Sequence, residues 1–339
     1  MISHWSGLLL WIRRGHGGKV WGVARQIGLR FACLVGSTIQ VVCAAEATVV
    51  MRAQQVGVHS YYVQGQPGAA SGENQGFMSN AGFVVTQDGV VVFDTLGTPP
   101  LAEKLIAEIR KITALPVRRV IVSHWHADHY YGLRAFKGVG AEVWAHAHGR
   151  SALTSDAAAA RLLQRREILA PWVDAGFRPV PADIWLNGDV DFRFGGLSFQ
   201  LRHVGPAHSA EDLAMYVKED GVLFAGDLVF RGRVPFVGDA DSFAWLAALD
   251  KLFVLQPRVM VPGHGAASVD PVGDLTLTRD YLRFLRNSMG KAVADFVPFD
   301  EAYAATDWRS WERLPAFEAA NRANAFNTYL LMEKESLGK

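Results

Sequence analysis

The chain has 339 residues, half of them apolar, with 34 Lys and Arg against 33 Asp and Glu and a net charge of +1. That is ample for one large core, and no basic excess marks a nucleic-acid partner, so a small-molecule substrate is expected.

Residues 1–45 hold five basic side chains, Arg13, Arg14, Lys19, Arg25 and Arg30, and no acidic one. An apolar run from Phe31 to Val42 follows. Small residues then stand at Cys43-Ala44-Ala45 and at Ala45-Glu46-Ala47, either of which could be a cleavage site. The segment reads as a signal peptide that sends the mature chain to the periplasm or out of the cell. The run is short and is interrupted by Ser37, Thr38 and Gln40, so no stable membrane anchor is expected after cleavage. Both cysteines, Cys33 and Cys43, fall inside it, and a thiol-free mature protein suits an oxidising compartment. Removing the segment leaves 29 basic against 33 acidic residues, a net charge of −4.

Val56 to Val63 and Ala81 to Asp94 alternate or run apolar between turn signals and predict antiparallel strands of a first sheet. Leu101, Leu105, Ile106, Ile109 and Ile112 recur at helical spacing within Pro99 to Ile112. They lead into a β-branched run, Pro116 to Val122, that predicts a buried strand. A second unit follows the same logic: strand at 142–145, helix at 150–168, strands at 196–204, 213–217 and 222–225, helix at 243–255 and a last strand at 258–261. Helices are expected again at 272–287 and 311–335. Two sheets back to back with helices outside is the α/β layering this implies.

The chain is organised around Ser123 to Gly132, SHWHADHYYG, which places His124, His126, Asp128 and His129 where a strand runs out into a loop. Alternate residues of an extended stretch point the same way, so His124 and His126 can hold one ion while Asp128 and His129 turn towards a neighbouring position. Imidazole and carboxylate are ligands that borderline divalent ions such as zinc accept. Three more candidate ligands each follow or end an apolar run: His208 in GPAHSAEDLAMYV, Asp227 in VLFAGDLVF and His264 in VMVPGHGA. Asp94, at a strand end, is a candidate to orient a ligand from behind.

These motifs, in this order, resemble the metallo-β-lactamase-fold hydrolases over roughly Val56 to Gly265. The resemblance implies a four-layer αβ/βα sandwich with a helical C-terminal extension. After the signal peptide at 1–45, it implies a catalytic domain at 46–270 and helices at 271–339 packed on that domain. It further implies a metal-dependent hydrolase with two zinc ions, iron or manganese being the alternatives. His124, His126 and His208 would hold the first ion, Asp128, His129 and His264 the second, and Asp227 would bridge them, with a metal-bridging hydroxide cleaving a small ester, thioester, lactone or related bond. Asp128 would also orient the water or relay its proton. NRANAFNTYL and Ser79-Asn80-Ala81 look most like exported glyoxalase II-like hydrolases of sulfur-oxidation or quinoprotein systems. β-Lactamases of this fold carry Cys or Ser where Asp227 stands, which counts against efficient lactam hydrolysis. A mononuclear iron persulfide dioxygenase and a metal-binding protein without turnover are the other readings. His146, His148 and His203 read as structural, and Tyr130, Tyr131, Trp172 and Trp185 as packing or pocket residues.

Overall fold

The structure, a computed structural model, describes residues 45–238 and 240–338. The signal-peptide expectation, with Cys33 and Cys43, lies outside the described residues.

The first sheet holds seven strands in sequence order: β1 (Ala53–Gln55), β2 (Ser60–Val63), β3 (Ala81–Thr86), β4 (Gly89–Phe93), β5 (Val117–Ile121), β6 (Glu142–His146) and β7 (Ile184–Leu186). Neighbours are antiparallel from β1 to β4 and parallel from β4 to β7. The parallel steps are made through α1 (Pro99–Ile112), then α2 (Ala127–Tyr130) and α3 (Leu133–Gly138), then α4 (Gly149–Leu153) and α5 (Asp156–Ile168). The second sheet contains β8 (Val190–Phe194), β9 (Leu197–His203), β10 (Leu213–Val217), β11 (Val222–Phe230) and β12 (Val259–His264), ordered β12-β11-β10-β9-β8. Its parallel pair, β11 and β12, is joined through α6 (Ser242–Val254). The chain ends in α7 (Pro271–Ala294), α8 (Phe299–Ala305) and α9 (Phe317–Leu337).

Three apolar layers hold this together. Val84, Val91, Phe93 and Ile121 of the first sheet meet Leu201, Met215, Phe224 and Val261 of the second, with Phe93 and Phe224 ring centres 5.8 Å apart. Leu101, Leu105 and Ile109 of α1 cover the outer face of the first sheet, and Trp245 of α6 with Leu282 and Leu285 of α7 covers the second. The result is the four-layer αβ/βα sandwich, with helices 271–337 forming the C-terminal region. β4 and β11 are buried at every position, which is why both read as unbroken apolar runs.

Some boundaries differ from expectation, each for a local reason. The helix expected at 150–168 breaks at Ser155, whose hydroxyl accepts from Ala158 N at 3.1 Å and starts α5 afresh. β11 continues past Ala225 to Phe230 because Gly226, at φ 55°, absorbs a register shift against β12. β7, with three residues, is too short to show a period, and β8 lies outside the expected strands although Val190, Phe192 and Phe194 alternate with Asp191 and Arg193 as in a half-exposed strand. α7 runs on to Ala294, and α9 begins at Phe317 rather than near Trp311, after Ala316 at φ 65°. No helix among the described residues is long and apolar enough to cross a membrane.

The sheets are also tied by one buried carboxylate. Asp220, in the β10–β11 turn, accepts from His59 N at 2.8 Å, His59 Nδ1 at 2.8 Å and Ser60 Oγ at 2.7 Å. Burial works to raise its pKa, but the hydrogen bonds from Ser60 and His59 outweigh that and hold it below the ordinary carboxylate value. A depressed folded-state pKa contributes stability above the unfolded pKa, about 3.9, and that contribution is lost as pH falls through the folded value. Asp220→Asn is therefore expected to cost about 1–3 kcal/mol at pH 7 and much less at pH 3. Urea unfolding at both pH values checks this; an equal cost at each would refute the charge argument.

Candidate metal centre

The centre forms where parallel strands end. Asp94 follows β4, Ser123 to His129 follow β5, Asp227 lies within β11 just after the irregularity at Gly226 and His264 closes β12. Carboxyl ends of parallel strands are where an α/β sheet can aim several loops at one point. His208 joins from the loop between β9 and β10. All seven expected ligand side chains gather there in two groups, His124, His126, His208 and Asp227 in one and Asp128, His129 and His264 in the other.

Asp227 stands between the groups with one oxygen towards each. Its Oδ2 lies 3.9 Å from His124 Nε2 and 3.4 Å from His208 Nε2, and its Oδ1 lies 3.1 Å from His129 Nε2 and 3.4 Å from His264 Nε2. Asp128 Oδ2 faces the second group, 3.3 Å from His264 Nε2 and 3.5 Å from His129 Nε2. Two glycines make this approach possible: a Cβ on Gly263 would come within 1.9 Å of Asp227 Oδ1, and one on Gly226 within 2.9 Å of the Ser123 side chain.

Four of the five imidazoles are oriented from behind. His208 Nδ1 donates to Phe236 O at 3.1 Å and His264 Nδ1 to Met78 O at 2.7 Å, so both present Nε2 to the centre. His126 instead presents Nδ1, 2.9 Å from His208 Nε2. Asp94 serves both groups. It accepts from His129 Nδ1 at 2.8 Å, and from Ser123 N at 2.8 Å and Ser123 Oγ at 2.7 Å, and that hydroxyl in turn accepts from His124 Nδ1 at 2.9 Å. The main chain at Asp94 is left-handed, φ 63°, a conformation Asp tolerates better than most residues. Ser79-Asn80 frames the second group: Ser79 Oγ donates to Asp128 O at 2.5 Å, and Asn80 Nδ2 donates to Pro262 O and Gly265 O, each at 2.8 Å, on either side of His264.

The residues fit divalent cations on two counts. His124 Nε2, His129 Nε2 and Asp227 Oδ1 are buried without a hydrogen-bond partner; the last two, though close, are not aligned to bond each other. The protein's own charges also call for positive charge at this point. Burial keeps His124 and His126 well below their ordinary pKa and lowers His208 to about 4, so all three stay neutral, the form in which imidazole binds a cation. Burial works to lower His129 and His264 too, but the Asp227 carboxylate, with Asp128, pushes His129 well up and His264 up to about 9. Divalent ions would supply that charge and release those protons.

The C-terminal helices reach this centre through asparagines. In α9, Asn324 is fully buried; its Oδ1 accepts from Val237 N at 2.9 Å and its Nδ2 donates to Pro235 O at 2.7 Å. These bonds fix the segment whose Phe236 carbonyl orients His208. Asn327 Nδ2 adds a bond to Gly238 O at 2.8 Å, and Asn321 Oδ1 accepts from Tyr281 Oη at 2.8 Å. Asn324→Ala leaves a buried N–H and a buried carbonyl unpaired, which is expected to cost about 1–3 kcal/mol and to weaken metal binding through His208. Urea unfolding and zinc titration check both, and unchanged zinc affinity would refute the link to His208.

Residues 74–264, more than half of the chain, match the family model of the Metallo-beta-lactamase superfamily. The chain belongs to the metallo-beta-lactamase superfamily. It is 26% identical over 235 residues to the linear primary-alkylsulfatase of Pseudomonas sp., an alignment covering 60% of this chain and 43% of that one. It is 25% identical over 193 residues to the metallo-beta-lactamase type 2 of Elizabethkingia meningoseptica, covering 56% and 69% respectively. The chain thus spans less than half of the alkylsulfatase that it matches. Among solved structures, a metallo-beta-lactamase from Pontibacter korlensis superposes with TM-score 0.55 at 21% identity over 69% of this chain and 99% of that one. The stereoselective inverting sec-alkylsulfatase of Pseudomonas sp. superposes with TM-score 0.64 at 17% identity over 83% of this chain and 50% of that one. At these identities the likeness is one of fold. This member of the superfamily carries two His/Asp clusters that could hold metal ions.

A second imidazole cluster joins His146, His148 and His203. His148 Nδ1 and His203 Nε2 both donate to Ala210 O, at 3.2 and 3.1 Å, and Gly188 N donates to His146 Nε2 at 3.2 Å. The His146 and His203 rings stack face to face at 3.6 Å, so their in-plane lone pairs lie in parallel planes and do not converge on one ion. The cluster ties β6 and β9 to the loop that carries His208. Trp125 packs edge-on against Tyr130, and Tyr131 packs at a tilt against Phe177, which makes these aromatics wall rather than ligand. What sequence reasoning missed are three arginines, Arg161, Arg165 and Arg233, that line the cavity over the centre. The only sequence signal for the first two is their i, i+4 spacing on a predicted helix.

Proposed function

We propose that the chain is a dinuclear zinc hydrolase of small ester-type bonds: carboxylic esters, thioesters, lactones or sulfate esters. The observation that carries this reading is Asp227, with one oxygen turned to each ligand group. His124, His126 and His208 would hold one ion, Asp128, His129 and His264 the other, and Asp227 would bridge. Five imidazoles, two carboxylates and no thiolate form a donor set that suits zinc, with iron or manganese as alternatives. Divalent ions in this place supply a water of lowered pKa and a polarised scissile oxygen. Asp128, which lines the cavity, would orient that water and take its proton. The sulfate ester is included because alkylsulfatases are among the relatives. The carboxylate at Asp227, where β-lactamases of this fold carry Cys or Ser, favours a glyoxalase II-like hydrolase over a β-lactamase. The basic lead, apolar run and thiol-free remainder support action in the periplasm or outside the cell, which N-terminal sequencing of exported protein tests.

Elemental analysis of purified protein, beside assays on ester, thioester, lactone, sulfate-ester and lactam probes, tests the function. About two zinc ions per chain with proton release on zinc titration and turnover of an ester-type probe are expected. One iron per chain with oxygen uptake and no hydrolysis would overturn it.

A further inference from the structure

The cavity over the metal centre encloses about 460 Å³, a volume suited to a small organic molecule. His126, Asp128, Asp227 and His264 form one end of it. Ala69 and Ala70 on one side and Ala316, Ala319 and Ala320 on another keep much of the wall apolar. Into this space α5 presents Arg161, Gln164 and Arg165, which are i, i+3 and i+4 on one helix face.

The arginines here are unpaired. Among the described residues neither Arg161 nor Arg165 makes an ion pair or a hydrogen bond, and the charge of Arg161 reaches a carboxylate outside the ligand groups, Glu211, only through space. Their helix neighbour Arg166 shows the contrast, since its guanidinium donates to Phe177 O at 2.8 Å and to Asp174 O at 3.2 Å. One arginine of α5 is thus spent on holding the fold, and two are left facing the cavity. Arg233 lines the same cavity, and its Nε is buried without a partner. A buried donor without a partner calls for a ligand acceptor. The two carboxylates on the wall, Asp128 and Asp227, belong to the ligand groups, so they are not free to neutralise three guanidinium groups.

We propose that the substrate is an amphiphilic oxyanion, an ester-type molecule with a short apolar body and a carboxylate or sulfate-like group remote from the scissile bond, seated on Arg161 and Arg165. This rests on the hydrolase reading above. The guanidinium pair selects by charge and by planar, forked hydrogen bonding, and a neutral or cationic analogue leaves the cavity's positive charge uncompensated. The alanine walls accept the apolar body.

Two arms test it with metal-loaded full-length protein. In the first, kcat/KM is measured for matched 4-nitrophenyl esters whose acyl chain ends in a methyl, a carboxylate or a trimethylammonium group. The wild-type protein is expected to favour the carboxylate ester over the neutral one by about 10- to 100-fold, and Arg161→Gln with Arg165→Gln to bring that ratio close to unity. Arg165→Glu should move preference towards the cationic ester. In the second arm, calorimetry measures hexanesulfonate and hexanoate, neither of which can be hydrolysed, and the double variant should bind both at least about 10-fold more weakly. Tighter sulfonate binding would favour a sulfate-like end, and tighter hexanoate binding a carboxylate; either ordering supports the proposal once the double variant weakens it. Turnover without charge preference, or equal anion binding by the double variant, overturns the proposal and leaves the hydrolase reading standing. Failure of every ester probe with both zinc ions bound counts against the hydrolase reading, while the binding arm still decides whether the arginine site exists.

Discussion

Asp227→Ala is expected to lower zinc content well below two ions per chain and to cut turnover of any ester probe by about 10³-fold or more. Lewis-acid stabilisation is worth several kcal/mol, and each 1.36 kcal/mol is a factor of ten in rate. The size of the effect follows from position. Removing the carboxylate takes a member from the group of His124, His126 and His208 and takes from His129 and His264 the oxygen that faces them, so both groups are weakened. It also removes the largest charge that holds His264 near 9, so in the variant this imidazole moves down towards neutrality. Asp227→Asn keeps the shape and separates charge from space: it should retain the fold but still lose metal. Metal analysis by emission spectrometry and steady-state kinetics on the same preparation check this. Two zinc ions and near-normal turnover in Asp227→Ala would dispose of the bridging role.

How far this centre could be seen in the sequence depends on how local each contribution is. The cluster from His124 to His129 is written in six consecutive positions, and His208, Asp227 and His264 each sit beside an apolar run that announces its strand. Asp94 was visible for the same reason, as a carboxylate where β4 runs out. The sequence carried the four-layer arrangement because β4 and β11 are buried on both faces and α1 has a clear apolar stripe.

What stayed hidden are contacts whose meaning lies in the partner. Asn324 is a polar residue inside a helix until its bond to Val237, 87 residues away, shows that α9 holds the segment behind His208. Arg161 and Arg165 sit on a helix with no buried side chains of its own, so no apolar periodicity says which of its faces meets the cavity. Arg233 follows β11 in a loop where sequence pattern says nothing of direction. The stacked His146 and His203 come from different sheets, and only the packing of one sheet on the other brings them together.

Asp94→Asn is expected to weaken zinc binding by about 10- to 100-fold, the range typical for partners that orient metal ligands. Asn tolerates the left-handed backbone at this position about as well as Asp, so the variant adds no main-chain strain and isolates the carboxylate's role. Asp94 now receives three donors: Ser123 N, Ser123 Oγ and His129 Nδ1. An amide has one acceptor oxygen, and its NH2 must face one of those donors. With its oxygen at the Oδ2 position the amide still accepts from Ser123 Oγ and His129 Nδ1 and its NH2 opposes Ser123 N, so what is lost is the negative charge behind His129 directly and behind His124 through Ser123, one ligand from each group, and both zinc ions should be affected. Ser123→Ala is the partial version, cutting only the path to His124, and should weaken mainly the site of His124, His126 and His208. Zinc titration against a competing chelator resolves the two steps in each variant. If Asp94→Asn loosens one ion and leaves the other at wild-type affinity, the shared-anchor argument fails and Asp94 is a partner of His129 alone.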